Sequence, residues 1–477
     1  MDKDKIKVVN YFSDFGPANF WSNISKDKII SDILFIKGAG FNSIIIMLPY
    51  ASFKPNINNF DSEYIEIFDF LISICVNNDI KVILRIGYLW EEIPYNDRTF
   101  ERYKLIYKYI DSFSFRNPFS SKSNGKRLFD DYISFLKYYS SKKEIYESFI
   151  SWEDFFWPIK YETGLDSDEK LDQETGKILR LILDTTKSHK IHIEHRTNAH
   201  CNTVKTKYSK THYGYFNAGS ICHYWYNLIS EKLKQKTIIY QNLTMEKNFL
   251  EWLSRLIITF ELKNPENKFI LNQFNFYDNS LEDLKGSAFH RHLLDKHDID
   301  RAVSFLEFVQ PLASRYFCGI GFWNLWSTIS GQIYNGCFVH GLKGWSTTGK
   351  FLHKDLTLYL GKNDELNTKL GYIRIADHSE INFCIEYKPS ANCVLHIYLG
   401  TSFKKIKIRP DSHSVKLRFD SFKQRTLRIV CKCNENQGIE ITRVDAWKNT
   451  HDSMIFDYER KPTDLWFKSV KKFIEDF

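Results

Sequence analysis

The sequence predicts a (β/α)₈ barrel followed by an antiparallel β-sandwich, and three observations lead there. Through roughly residues 1–330, short apolar segments alternate with amphipathic helical segments, the pattern of strands buried on both faces and joined by crossover helices. Eight such strands suit a closed barrel better than an open doubly wound sheet, and no glycine-rich phosphate loop follows any of them. From about residue 335 the helices stop, and strands follow one another with only turn signals between.

Taken in order, the first strand is Lys7–Phe12 (KVVNYF), followed by a helix over Lys26–Lys37 with Ile29, Ile33 and Ile36 on one face. Asn42–Tyr50 (NSIIIMLPY) is the second strand, Ser62–Cys75 a helix and Lys81–Trp90 (KVILRIGYLW) the third strand. A Ser/Asn/Gly-rich loop over 112–126 precedes a helix around 128–147, which leads into FISWEDFFWP at 149–158 and the fourth strand. The later strands are Lys190–Thr197, Ser220–Tyr226, Lys268–Phe276 and Phe317–Trp326. The domains are then 1–330 for the barrel, 335–450 for the sandwich and 451–477 for a C-terminal tail. Because the strand–helix alternation is complete before Asn335, residues 1–330 are expected to fold alone. The tail carries a short helix with Trp466, Val470 and Phe473 on one face. It is expected to dock on a domain, the alternative being a weak membrane-surface contact.

Composition narrows the function. Of 477 residues 43% are hydrophobic and 16% aromatic, enough for a large core and for flat ligands such as sugars or bases; an aromatic-rich core alone is the competing reading. The net charge of +8 is spread along the chain without a basic run, which argues against a nucleic-acid partner. Nine cysteines at irregular spacing, with a lone CxC at Cys431 and Cys433, suggest neither a zinc nor a disulfide framework, and so a reducing compartment. The first residues, MDKDKIKVV, carry no apolar leader, and no run of 18 apolar residues follows. The expected location is cytoplasmic, with no transmembrane segment. No histidine pair has metal-ligand spacing and no Ser or Cys sits on a strand–turn–helix elbow, so neither metal nor cofactor is expected.

In such a barrel the site lies at the C-terminal ends of the strands. The polar residues there are Asn10 and Asp14, Tyr50, Arg85 with Glu91 and Glu92, and Glu153 with Asp154. Strands five to eight add Glu194 and Arg196, then His223, Tyr224 and Tyr226, then Asn272, Gln273 and Asn275, then Trp323, Asn324 and Trp326. Carboxylates ringed by aromatic, histidine, arginine and amide groups suit glycosidic cleavage, in which one acid protonates the leaving oxygen and a second carboxylate attacks or activates water. Glu153 and Asp154 interrupt an aromatic run. A buried strand does not hold two neighbouring unpaired charges. Either Glu153 surfaces at the mouth as a general acid, or it closes a strand-end ion pair with Arg85 or Arg196. In IHIEHRT the period-2 rule puts His192, Glu194 and Arg196 on one face, as site lining or as a pair that stabilises the barrel interior.

Over most of residues 7–326 the chain resembles a cellulase-like glycoside hydrolase of clan A. NYFSDFGPANFWSN and ISDILFIKGAGFNSIIIMLPY resemble the opening of that clan, and ISWEDFFWP falls where the family places its acid/base glutamate. SICHYWY resembles the sixth-strand His/Tyr segment, FILNQFNF the nucleophile segment and GIGFWNLW the eighth-strand Trp platform. The resemblance implies Glu153 as acid/base, an oligosaccharide or polysaccharide as ligand, and sugar contacts from His223, Tyr224, Asn272, Trp323 and Trp326. Three positions depart from the pattern: Trp152 replaces an Asn, Gln273 the nucleophile Glu and Ile45 a supporting Arg. An amide cannot be a carboxylate nucleophile. An active barrel would therefore use Glu194 as its second carboxylate, facing Glu153 with Gln273 on the opposite wall. The alternative is a catalytically inactive glycan-binding barrel acting in polysaccharide assembly. In the second domain YNGCFVHGLKGWSTTG and IEITRVDAW resemble family 4/9-type carbohydrate-binding modules, with Trp345 read as core rather than platform.

Overall fold

The computed structural model describes residues 5–13, 20–54, 60–87, 125–152, 155, 168–186, 191–195, 210–217, 245–275, 296–322, 325, 333, 336–338, 341–342, 344–353, 355–368, 381–388, 392–409, 411–419, 426–447, 455–456, 460–463 and 466–477. Eight parallel strands close into a barrel in chain order. They are β1 (Ile6–Asn10), β2 (Ser43–Pro49), β3 (Lys81–Gly87), β4 (Ile145–Ser151), β5 (Ile191–His195), β6 (Thr211–Asn217), β7 (Lys268–Asn275) and β8 (Gly319–Phe322). The described helices are α1 (Phe20–Asn23), α2 (Lys26–Gly38), α3 (Tyr50–Phe53), α4 (Ser62–Asn77), α5 (Gly125–Ser140), α6 (Asp168–Thr186), α7 (Met245–Thr259) and α8 (Lys296–Tyr316).

Local chemistry sets the helix starts. The Ser25 side chain accepts from Lys28 N at the start of α2, and Asp61 accepts from Glu63 N and Tyr64 N at the start of α4. Such caps satisfy amides that have no partner within the helix. Two elements differ from the sequence reading. The helix expected over 128–147 ends at Ser140, and β4 already begins at Ile145. The sixth strand is Thr211–Asn217, not Ser220–Tyr226, and the latter segment lies outside the described residues. THYGYFN hides its strand character behind a central glycine. Gly214 is required there, since a Cβ would lie 2.5 Å from the Phe269 ring.

After β8 the chain builds two five-stranded antiparallel sheets. One orders β10 (Lys350–Leu352), β11 (Thr357–Leu360), β18 (Ile439–Trp447), β13 (Ile381–Lys388) and β16 (Ser414–Phe419). The other orders β15 (Ser402–Lys407), β14 (Val394–Leu399), β17 (Leu427–Lys432), β12 (Glu365–Thr368) and β9 (Trp345–Thr347). Their inner faces share one apolar cluster that includes Leu366, Phe383, Leu395, Ile429 and Val444. Trp345 lies in that cluster, as the sequence reading expected. The edge strand β15 carries Lys404, Lys405 and Lys407, charges that discourage further strand pairing.

The chain then returns to the barrel. A π turn over Trp466–Val470 and the last helix, α9 (Lys471–Asp476), contact α8. Trp466, Val470, Phe473, Ile474 and Phe477 join the barrel's outer core cluster. Phe473 meets Phe322 of β8 edge-on, and Lys7 of β1 donates to the Ile474 carbonyl. This segment therefore covers β8 and β1, where a helix directly after β8 would otherwise lie. It is latched by Arg460, which bonds the fully buried Asp32 of α2 at 2.6 Å. Asp32 also accepts from Ser13 Oγ at 2.6 Å and Tyr11 OH at 3.2 Å. Arg460 has φ +61°, a left-handed conformation unfavourable for a non-glycine residue, so the latch holds the backbone against local strain.

This arrangement sets a stability test. Phe473 is 2% exposed and Ile258 is 77% exposed. Phe473→Ala should cost about 3–5 kcal/mol in urea unfolding of the full chain, and Ile258→Ala less than about 0.5 kcal/mol. Equal effects would mean that the C-terminal segment adds nothing to barrel stability. On the same reasoning residues 1–330 alone should not remain folded.

Candidate active site

Strand register determines what lines the barrel. Paired residues on neighbouring parallel strands point the same way, and Asn10↔Ile45, Ile45↔Ile83, Arg85↔Phe149, Phe149↔His192, Glu194↔Tyr213 and Tyr213↔Ile270 all point inward. With the strand tilt of such barrels, interior side chains form layers drawn from alternate strands. Toward the C-terminal ends lies a layer of Asn10, Arg85, Glu194 and Asn272, one each from β1, β3, β5 and β7, with Met47 of β2 and Ser151 of β4 facing inward above it. Below it lie Ile45, Phe149 and Tyr213 from the even strands, with Gly321 of β8 as the fourth member. A third layer holds Val8, Ile83, His192 and Ile270. The apolar members of the lower layers form one cluster, and Phe149 stacks on Tyr213 with centroids 4.4 Å apart.

The upper layer is polar yet buried. Asn10, Arg85, Glu194 and Asn272 are at most 6% exposed. Glu194 Oε1 accepts from Asn272 Nδ2 at 2.5 Å and from Gln273 Nε2 at 3.3 Å. Its Oε2 lies 3.8 Å from Arg85 Nη1 and accepts no hydrogen bond from the described residues. Asn10 Nδ2 donates to the Asn272 carbonyl at 2.7 Å. Barrel interiors are usually filled with Val, Ile and Leu, and putting a carboxyl and a guanidinium there carries a desolvation cost that apolar side chains avoid. Such a layer is retained where it does chemistry or enforces specificity.

A bulge brings two consecutive residues of one strand to the same carboxyl. Gly214 pairs with Leu271 but Tyr215 with Gln273, and on the other side Ile320 pairs with Leu271 but Phe322 with Phe274. Relative to β6, Asn272 is the extra residue in β7. The alternation of faces breaks there, so both Asn272 and Gln273 reach Glu194. The expected placement of Gln273 across the pocket from Glu194 is thus corrected: the two are hydrogen-bonded neighbours. Gly321 makes room for the bulge, since a Cβ there would lie 2.5 Å from the Asn272 carbonyl oxygen and 2.2 Å from Val8 Cγ1.

The remaining expected site residues divide plainly. Ile45 belongs to the apolar layer and not to the carboxyl's support; the arginine beside Glu194 comes from β3 instead. Trp152 is 1% exposed, and its amide donates to the Glu194 carbonyl at 3.3 Å. Tyr50 is buried and bonds Asp131 through its hydroxyl. Glu153, Asp154, Arg196, His223, Tyr224, Trp323 and Trp326 lie outside the described residues.

The sequence reading missed a second, half-buried network. Tyr213 OH donates to Glu147 Oε2 at 2.5 Å, and His192 Nε2 lies 3.8 Å from Glu147 Oε1. Burial, then the Glu147 charge, holds the Tyr213 hydroxyl well above the usual phenol range. Burial lowers His192, against the pull of Glu147. Outside the barrel wall, His212 and His195 pair at 3.4 Å against Phe260. Glu147 was invisible as a site candidate because it lies near the start of β4, and Tyr213 because β6 was placed later.

No protein-family model and no curated protein matches the chain. Among solved structures it is similar to a Streptomyces cattleya protein of glycoside hydrolase family 5, subfamily 18, in complex with Manβ1-4GlcNAc. That similarity has 11% identity, 68% of this chain, 72% of that one and TM-score 0.43. It is also similar to a family 5 mannosidase from Rhizomucor miehei in complex with mannosyl-fructose, at 14% identity, 67% and 81% coverage and TM-score 0.41. A third is a subfamily 18 protein from Bifidobacterium longum subsp. infantis, at 9% identity, 68% and 70% coverage and TM-score 0.43.

The histidines set a pH dependence. Burial, then the neighbouring His192, pushes His212 down to about 4 from 6.5. Between those values the unfolded chain binds the proton and the folded chain does not. The contribution is therefore complete above about pH 6.5 and is lost as pH falls toward 4. At about 1.4 kcal/mol per unit, urea unfolding should lose about 3 kcal/mol over that range from this group. His212→Gln should flatten the curve; an unchanged slope would contradict the assignment.

Proposed function

We propose that the chain cleaves or transfers a glycosidic bond at the C-terminal mouth of its barrel. Glu153 is the general acid/base and Glu194 the second carboxylate; the ligand is an oligosaccharide or polysaccharide. The observation that carries this reading is Glu194 itself, a buried carboxyl in a polar layer toward the C-terminal ends of the strands with Oε1 held by two amides. Fixing one oxygen orients the group and leaves Oε2 as the atom to attack the anomeric carbon or to take a proton from water. Arg85 balances the negative charge that the carboxylate carries before attack and regains when the glycosyl-enzyme is hydrolysed. Glu153, the second residue past the end of β4, supplies the proton to the leaving oxygen. A separation of about 5–5.5 Å between the two carboxyls favours direct attack, and about 6.5–9.5 Å leaves room for a water. Trp323 and Trp326 provide the aromatic surface on which a sugar ring stacks, with His223, Tyr224 and Arg196 as its polar neighbours.

One observation favours a second reading. Gln273, at the family's nucleophile position by resemblance, is an amide bonded to Glu194, an arrangement also suited to a glycan-binding barrel without turnover.

Aryl glycosides and soluble polysaccharides, assayed for release of phenol or reducing ends, separate the two. The wild type should turn over at least one of them, and Glu153→Gln should lower kcat by about 10²–10⁴-fold with an unchanged unfolding midpoint. Unchanged kcat in the variant would remove Glu153 from the mechanism. Glycan binding without turnover by the wild type would establish the binding reading instead.

A further inference from the structure

The sandwich gathers three cysteines that the sequence separates. Val394↔Lys432 and Leu395↔Cys431 are cross-strand pairs of β14 and β17. One step further along the same register, Cys393 stands opposite Cys433. Cys431 lies in β17 and Cys433 just past its end, two residues on. The three sulfurs lie within 4.8 Å of one another, and Cys431 Sγ to Cys433 Sγ is 3.8 Å. A tetrahedral zinc with Zn–S bonds of about 2.3 Å holds its sulfurs about 3.8 Å apart.

We propose that Cys393, Cys431 and Cys433 form a three-thiolate site for a thiophilic d¹⁰ metal ion, Zn²⁺ or Cu⁺. Thiolate sulfur selects these ions over the harder divalent cations. Cys393 and Cys431 are buried at the rim of the sandwich core, while Cys433 is half-exposed. Two ligands are thus preset by the strands and the third lies open to solvent, the direction from which an ion arrives. Each thiol loses its proton to water as its metal–sulfur bond forms, so binding releases acid and tightens as pH rises. The Gln437 carbonyl oxygen, 3.0 Å from Cys433 Sγ, is placed to complete a four-coordinate zinc, whereas Cu⁺ is satisfied by three sulfurs. No metal was expected from sequence because the CxC lacks a second pair within ligand spacing; the third sulfur arrives through strand pairing 38 residues before Cys431.

The full chain, reduced with a phosphine and stripped by a chelator, is incubated with Zn²⁺ or with Cu⁺ and passed through gel filtration. About one equivalent of one of the two ions should remain per chain. Iodoacetamide labelling, read by peptide mass spectrometry on the unmodified chain, should fall about tenfold or more at Cys433 when the ion is bound. Labelling at Cys337 should not change. Cys433→Ser, a change at a half-exposed position, should lose the bound equivalent while keeping the unfolding midpoint of the metal-free protein. Retention of neither ion, equal retention by Cys433→Ser, or equal protection of Cys337 would each overturn the proposal.

Discussion

The Glu194 carboxyl sits between two amides and a guanidinium inside the closed barrel, and the strands around it are shaped to allow that. Asn272 and Gln273 reach one oxygen only because β7 carries an extra residue, which turns two consecutive side chains inward. That bulge needs a neighbour without a side chain, which is Gly321. The freed Asn272 carbonyl needs a donor, which is Asn10. The layer beneath is stacked, and the one hydroxyl among its side chains, that of Tyr213, is taken by Glu147. Withdrawing any one amide from a buried carboxyl costs more than an ordinary hydrogen bond contributes, which makes this polar layer a single unit.

The same barrel is closed on its outside by residues nearly 150 positions beyond its last strand. Between Phe322 and the Arg460 latch the chain builds the whole sandwich, then returns to cover β8 and β1. The two cores are separate clusters, yet they meet where Gly336 N donates to Asn23 Oδ1 at 2.7 Å and its carbonyl accepts from Val444 N of β18. A Cβ at residue 336 would lie 2.1 Å from the Val444 carbonyl oxygen, so glycine is needed for that approach. The sandwich is tied to the barrel at both of its ends.

Most of the barrel was legible because parallel strands buried on both faces are written as continuous apolar runs, as in SIIIMLP and KVILRIG. The sixth strand was not, because Gly214 and the His/Tyr alternation of THYGYFN look like a turn until Phe269 shows why a side chain is excluded. Glu194 was legible through the two-residue period of IHIEH. Its relation to Gln273 was not, since that period fails at a bulge and no residue type announces one here. The three-cysteine cluster was equally hidden, because Cys393 joins the CxC only through the β14–β17 register. The supporting arginine was legible as a residue, Arg85, but not as a replacement for the one missing at Ile45.

Whether the Glu194 carboxyl performs chemistry or only fills the barrel is tested most directly by chemical rescue. In Glu194→Ala, azide can occupy the vacated space beside Arg85 and attack the anomeric carbon in place of the carboxylate or the water it activates. An aryl glycoside that the wild type hydrolyses should be turned over very slowly by the folded variant, and added azide should restore the rate and yield a glycosyl azide. A folded Glu194→Ala protein that keeps the wild-type rate, or that azide leaves inactive, would show that Glu194 is a structural carboxyl and that the catalytic group lies elsewhere.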